Sequence, residues 1–519
     1  MESNNRSSNL LFEQLLHRAI LFLRSYRIPL VSAMLMGILA HGFVFANKLI
    51  NHDEIYNLFG KGATIDSGRW ALGALDSIFP NYSMPWIYGI LTVFLIALTA
   101  CLIIHTFEIK NPVLQALLAG SIVVFPVWTG TFAFMFTSSS YGVAFLMAVL
   151  SVALLRRKHP LCRMCALGAG IFSVAIYQAY IAVIASLLVL ILVQDLLREE
   201  DLLRMLRRGF FYVGFLILTL GLYYLALQAI LVLKDVAFNE YATERNSFQL
   251  AELPRNIALA YSHFVRIFTT GEFALIPMPL TKRLHLLCLA ACFVLLLIRF
   301  VTDRMAPARI LFILALLLVF PLAANCMYLF TPEAGIHTLV LCGFVTVYVS
   351  FILIADLCIA AAPQKKPIDL LRRIALNFLL LALSVIIISN TYFANEAYLQ
   401  LHLQYENTYA FYPSLLSDIR MQPEFDEDTK LAVIGYWNYP EYFFHKFDFT
   451  YHLFGHLDSS PAAYSMDRFL EYYIGFPIPF ADPWTKEAIQ NSQEYLQMPV
   501  YPYYGSIRMF DDILVVKLS

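Results

Sequence analysis

Apolar runs of membrane length recur along this chain, near 28–47, 85–107, 113–136, 141–155, 209–233, 284–300, 310–330, 337–361 and 374–390. A hydrocarbon core about 30 Å thick takes about 20 apolar residues per helical span, and lipid offers the backbone no hydrogen-bond partners outside a helix or a closed barrel. The stretch 164–196 is too long for one span and short for two. It reads as a helical hairpin with its tip near Tyr177-Gln178-Ala179-Tyr180, which brings the expected total to about eleven helices. With 60% hydrophobic and 14% charged residues, a soluble protein of this length is excluded.

Lys and Arg in the short loops orient the spans. One set of loops holds Arg18, Arg24 and Arg27; Arg156, Arg157, Lys158 and Arg163; Arg198, Arg204, Arg207 and Arg208; Arg299, Arg304 and Arg309; and Lys365, Lys366, Arg372 and Arg373. The opposite loops are longer and carry far fewer. The N-terminus is therefore expected inside the cell, the C-terminal tail outside, and the first span acts as a signal anchor with no cleavage site after it. All eight cysteines fall in expected spans or at their inner ends, so a disulfide-stapled exterior is excluded. Cys162-x-x-Cys165 has no second ligand pair nearby and does not read as a metal site. A net charge of −1 says nothing about partners, and no nucleic acid is expected among them.

The expected architecture is an all-α polytopic membrane region over 1–390 and a small α/β domain over 391–519. In the second part, Lys430-Leu-Ala-Val-Ile-Gly435 and Ile513-Leu-Val-Val-Lys517 read as buried strands, and Asn395 to Ile419 has helical periodicity. Two long outer loops, about 48–84 and 234–283, mix apolar and polar residues as interfacial helices do. A third outer turn runs from Thr331 to His337. Pro126, with Trp128 and Thr129, is expected to break the third span near its outer end. No repeat, P-loop or GxGxxG is present, so no energising nucleotide site is visible.

The first long loop carries Asn51-His52-Asp53-Glu54-Ile55-Tyr56 and then Ser67-Gly68-Arg69-Trp70. Adjacent carboxylates at the mouth of a membrane helix are costly to keep, and such a pair followed by an arginine suits an enzyme acting on lipid-linked substrates. Either Asp53 or Glu54 can take a proton from an attacking hydroxyl; the blander reading is that the pair caps an interfacial helix starting near Ile55, where negative charge helps the N-terminal dipole. Asp66 and Arg69 would share a face on a helix and could pair there. Arg69 can fork onto a phosphate, and Trp70 can stack on a sugar or mark the headgroup level. Arg266 and Lys282-Arg283, in the second long loop with His263 and Glu272, are placed to meet a lipid phosphate, or to snorkel. Tyr177 and Gln178 at the hairpin tip can line a sugar pocket, and Glu333 and His337 bracket the third turn. Asn325 is expected to bond a neighbouring helix.

Taken in order, the acidic pair, Ser67-Gly68-Arg69-Trp70, the Phe125-Pro126 region ending in Ser138-Ser139-Ser140-Tyr141, and Ile176-Tyr177-Gln178-Ala179-Tyr180 resemble the type II O-antigen glucosyltransferases, bacterial and phage-borne enzymes of serotype conversion. The resemblance covers about 45–330 and, more loosely, the tail. It implies a GT-C-type fold in the bacterial inner membrane, with a periplasmic active site between the first outer loop and the membrane region. It also implies undecaprenyl-phosphate glucose as donor, made inside and brought across the bilayer by a partner synthase and flippase, and a lipid-linked O-antigen or related surface glycan as acceptor. Asp53 or Glu54 matches the family's acidic position and Arg69 its arginine.

The mechanism expected on this reading is an inverting transfer that calls for no metal and no cofactor. One carboxylate of the pair is the base, while Arg69 and one or more of Arg266, Lys282 and Arg283 steady the leaving phosphate. A transporter or flippase of lipid-linked sugars is the rival, but it predicts inverted repeats and paired broken helices, which the sequence does not show. A non-catalytic assembly subunit is the third reading.

Overall fold

The computed structural model describes residues 11–60, 64–78, 82–157, 159–198, 201–238, 250–276, 278–330, 336–360, 366–426, 428–435, 437 and 465–519. Among them, ten helices are long and apolar enough to cross a membrane. The chain is a multi-pass membrane protein. Its first part runs α1 (Leu11–Ser25), α2 (Arg27–Ala46), α3 (His52–Tyr56), α4 (Leu72–Asp76), α5 (Pro85–Phe107) and α6 (Pro112–Val123). It continues through α7 (Pro126–Ala133), α8 (Met135–Leu155), α9 (Pro160–Ile176), α10 (Ile181–Leu197) and α11 (Leu202–Lys234). Further membrane-length helices span Pro279–Thr302, Pro307–Ala324 and Thr338–Ile359, with the amphipathic helix Leu253–Thr269 ahead of them.

Two breaks in the spans fall where the sequence places them, and each frees carbonyls that other segments use. At Val124–Phe125 the third span turns extended (Phe125 φ −64°, ψ 133°) and restarts with Pro126, which needs no N–H partner at a helix start. The Val123 carbonyl freed there lies 3.0 Å from His41 Nε2 of α2. A carbonyl only accepts, so Nε2 carries the proton and Nδ1 accepts from Tyr398 Oη at 2.8 Å. At Tyr177 (φ −154°, ψ 116°) the hairpin opens between α9 and the 3₁₀ turn Gln178–Tyr180. The Ala175 carbonyl there accepts from Ala71 N of the first loop at 3.1 Å. The break in the hairpin is thus a docking point for the loop between α2 and α5.

At the other end of the bundle the charges pair off. Arg156 reaches Asp195 Oδ1 at 3.0 Å, Gln194 Oε1 at 2.8 Å and the Thr106 carbonyl at 2.7 Å, and Arg208 holds the second oxygen of Asp195. Arg198 pairs with the exposed Glu108 at 2.7 Å, a hydrogen bond that holds this carboxyl below its usual range.

The helix Lys366–Arg420 runs 55 residues and passes through residue 390 without a break. Its last turns (Phe411, Tyr412, Leu415, Ile419) bury themselves against a three-stranded sheet of order β1-β3-β2. β1 (Lys430–Ile434) runs parallel to β3 (Ile513–Lys517), and β2 (Ile507–Phe510) pairs antiparallel with β3. Phe469 and Leu470 join the same core, and so do Ile50 and Ile55 from the first loop. The C-terminal region therefore shares a core with α3.

The buried and exposed ion pairs should respond differently to deletion. Asp195→Ala strands two guanidiniums at a site where the carboxylate is 5% exposed, and is expected to cost about 3–5 kcal/mol. Glu108→Ala removes a surface pair and should cost at most about 1 kcal/mol. Thermal unfolding of the two variants in detergent checks the order.

Candidate active site

Asp53 and Glu54 occupy the first turn of α3, whose N-cap is Asn51: its Oδ1 accepts from Glu54 N at 2.7 Å. Adjacent residues on a helix face different ways, and here the difference is large. Glu54 is 0% exposed; one carboxylate oxygen accepts from Lys48 Nζ and Ser83 Oγ, and the other from Phe136 N at 3.3 Å. Phe136 lies in the first turn of α8, where unpaired N–H groups and the helix dipole favour an anion. Asp53 is half-buried and lies one turn before Tyr56 on α3.

Arg69 follows a turn, not a helix. Gly68 N donates to the Ile65 carbonyl at 3.0 Å and Arg69 N to Thr64 at 2.7 Å, so the shared helical face expected for Asp66 and Arg69 is not formed. A four-residue turn containing Gly68 at φ +79° wins over helix here, because glycine takes that conformation without strain. Arg69 Nη1 donates to Tyr141 Oη at 3.3 Å, and its guanidinium lies 5.2 Å over the Tyr177 ring. Tyr177 stacks on Tyr141 with centroids 4.5 Å apart at 17°. Gln178 Nε2 donates to the Ser67 carbonyl at 3.2 Å and to Tyr223 Oη at 3.0 Å, while Tyr223 Oη donates to the Gly68 carbonyl at 2.9 Å. Asp66 and Trp70 are half-buried; Trp70 packs against the membrane core, and its Nε1 has no hydrogen-bond partner among the described residues.

Glu54 and Arg69 are thus mounted on one helix, at Phe136 and Tyr141, roughly 7.5 Å apart along its axis. The buried hydroxyls of Ser138, Ser139 and Ser140 lie between them in sequence.

The second loop makes a separate cluster. His263 Nδ1 meets Glu272 Oε2 at 2.7 Å, Arg266 meets the other oxygen of Glu272 at 3.1 Å, and Lys282 Nζ donates to the Thr270 carbonyl at 2.7 Å. Arg283 is exposed. His263 also stacks on Tyr328 at 4.8 Å. These cations stand on elements other than those that hold Asp53 and Arg69. Glu333 lies outside the described residues; His337 leads into the 3₁₀ segment Thr338–Val345. Asn325 Nδ2 bonds the Ala260 carbonyl of the helix Leu253–Thr269 at 2.9 Å. Among the described residues no group of three or more His, Cys, Asp or Glu could hold a metal ion.

Sequence reasoning missed Lys48, Ser83, Tyr223 and Tyr473. Lys48 carried a signal: it is a lone cation just past one end of the first span, whose other basic residues, Arg18, Arg24 and Arg27, lie at or before the opposite end. Tyr473 carried none, since it is distant in sequence. Its phenol is pushed above the ordinary range by burial first and by the nearby negative charge of Glu54 second. Its hydroxyl is buried with no hydrogen-bond partner among the described residues.

A polytopic helical membrane protein with a carboxylate pair and a tyrosine-flanked arginine on one loop has the form of a membrane-embedded group-transfer enzyme. Residues 42–349, more than half of the chain, match the family described as Glucosyl transferase GtrII, and the chain belongs to that family of glucosyltransferases. No curated protein and no solved structure matches it.

Gly68 gives a direct test of the docked loop. A Cβ there would lie 2.8 Å from Gln178 Nε2 and 2.9 Å from Tyr223 Oη, at a φ that side chains avoid. Gly68→Ala should cost on the order of 1–3 kcal/mol locally and lower transfer, read as a drop in thermal midpoint together with activity.

Proposed function

We propose that this glucosyltransferase moves glucose from undecaprenyl-phosphate glucose to a lipid-linked O-antigen or related surface glycan. The reaction takes place on the periplasmic face of a bacterial inner membrane, with the N-terminus cytoplasmic and residues 391–519 periplasmic. The observation that supports this reading is that Glu54, the neighbour of Asp53 on α3, and Arg69 are both held on one helix, α8, inside the span matched by the family. A donor synthase and a flippase supply the substrate from the cytoplasm.

Asp53 is the base. Its carboxylate takes the proton of the acceptor hydroxyl as that oxygen attacks C1 of the sugar, and the C1–O bond to phosphate breaks with its electron pair leaving on undecaprenyl phosphate. Glu54 is a positioning residue: with both oxygens occupied inside the fold, it fixes α3, which carries the half-buried Asp53. Arg69, backed by Tyr141 and Tyr177, receives the developing phosphate charge. Arg266, Lys282 and Arg283 form a second cationic rim for the lipid headgroup, Arg266 exchanging Glu272 for phosphate when the donor enters. Asp66, Trp70 and Gln178 shape the pocket around the sugar.

The test is transfer of radiolabelled glucose from synthetic undecaprenyl-phosphate glucose to cell-envelope glycan. Asp53→Asn should lose about 100-fold or more with an unchanged thermal midpoint. Glu54→Gln leaves Lys48 without its counter-charge and should lower the midpoint as well, by about 3 kcal/mol of stability. Wild-type transfer by Asp53→Asn would move the base elsewhere. Absence of transfer by the wild type from every polyprenyl-phosphate hexose, with the cognate glycan present, would sink the proposed chemistry.

A further inference from the structure

Beside Asp53 lies a surface that the reaction just described does not use. One turn beyond it on α3 stands Tyr56, 50% exposed, followed by Phe59 at 46% and Tyr82 at 58%. The C-terminal region completes the patch: Tyr472 meets Phe59 edge-on with centroids 4.8 Å apart, and Phe59 meets Tyr82 edge-on at 5.3 Å. Arg468 places its guanidinium 5.7 Å from the Tyr56 ring and 5.8 Å from the Tyr472 ring. That guanidinium is itself held, by Glu471 at 2.9 Å and by Tyr472 Oη at 3.3 Å.

The chemistry of this patch narrows what can cover it. Exposed rings next to one another ordinarily mark an interface, and a membrane belt is one option. A belt leaves its basic groups open to lipid phosphates, whereas Arg468 here is taken up by Asp467, Glu471 and Tyr472. Sugars have what the patch offers a partner for: apolar C–H faces that lie on rings, and hydroxyls that bond to fixed guanidinium and carboxylate groups. Tyrosine and arginine supply both kinds of contact at low entropic cost. Tyr472 and Arg468 stand on or beside a π-helical turn, Leu470–Ile474, a distortion often found at functional sites. The turn is anchored by Phe469 and Leu470 in the core it shares with Ile55 of α3.

We infer that Tyr56, Phe59, Tyr82, Tyr472 and Arg468 form the acceptor-saccharide platform, built jointly by the first loop and the C-terminal region and opening onto Asp53. The inference rests on the proposed transfer for its orientation, with the acceptor hydroxyl brought to Asp53 while neighbouring residues of the glycan lie across the rings. The platform reads the acceptor and not the donor, because Arg69 sits apart from it against Tyr141 and Tyr177, and Arg266, Lys282 and Arg283 stand on other elements.

The experiment uses the full-length protein in detergent or nanodiscs. Its probe is the surface polysaccharide, freed of lipid by mild acid, from cells that carry this protein. Saturation-transfer NMR from aromatic protons to the polysaccharide reads binding without any turnover. Wild type should show transfer of saturation, and Phe59→Ala and Tyr472→Ala should lose most of it. In the labelled-glucose assay the same variants should raise the acceptor KM about tenfold and leave the donor KM unchanged. Phe59→Tyr should retain both signals, and an unchanged thermal midpoint certifies the fold. Saturation transfer lost in the variants while no enzyme form moves glucose would leave the saccharide platform standing and remove the proposed chemistry. No saturation transfer in the wild type, or variants with wild-type binding and acceptor KM, would overturn the platform and leave the transferase reading untouched.

Discussion

A buried carboxylate fixes the first long loop of this protein. Glu54 has no exposed surface, and three donors from different segments converge on it: Lys48 at the end of α2, Ser83 ahead of α5, and the backbone of Phe136 at the start of α8. An ionised group in such a place is tolerable only with its partners present. The loop between α2 and α5 is therefore held at its beginning by charge. At its middle it is held by a backbone bond to Ala175 and by the Gln178–Tyr223 grip on Ser67 and Gly68. A loop pinned in this way can present Asp53 and Arg69 from fixed positions, as a site for group transfer requires.

The breaks in the spans serve this arrangement. A helix that ends inside a membrane protein leaves carbonyls in want of donors, and here His41 and Ala71 supply them. Without the extended residue at Tyr177 there would be no free carbonyl for the loop to bond, and Tyr177 would not face Tyr141. The second loop solves a different problem. Two of its cations find partners within the loop: Arg266 pairs with Glu272, and Lys282 donates to the Thr270 carbonyl.

Much of the fold was legible because hydropathy and proline act locally. The spans, the hairpin tip at Tyr177, the break before Pro126 and the strands at Lys430–Ile434 and Ile513–Lys517 all follow from runs and punctuation. β2 was not legible: Ile-Arg-Met-Phe is short, without alternation, and becomes a strand because β3 offers it a ladder. The turn at Ile65–Gly68 was not legible, because the spacing of Asp66 and Arg69 does not show that Gly68 goes left-handed. At the site, residue types pointed to the carboxylate pair, to Arg69 and to the hairpin tip, and the structure brings these onto neighbouring elements. Which carboxylate is buried was out of reach, since it depends on Lys48, Ser83 and Phe136 arriving from three segments. Tyr472 and Tyr473 were hidden for the same reason: they lie far along the chain and meet α3 only through a shared core.

The long helix Lys366–Arg420 carries one more consequence. At about 1.5 Å per residue its 55 residues measure roughly 80 Å, and a membrane crossing uses only about 20 of them. The remainder continues as one helix, with Pro413 inside it, into the core beneath the C-terminal sheet, and Tyr398 is tied to His41 along the way. The spacing between the helical bundle and the surface carrying Tyr472 and Arg468 is therefore set by helical rise. Each residue taken out of this helix between the bundle and the sheet would draw that surface in by about 1.5 Å and turn it by about 100°, so its length sets both spacing and facing.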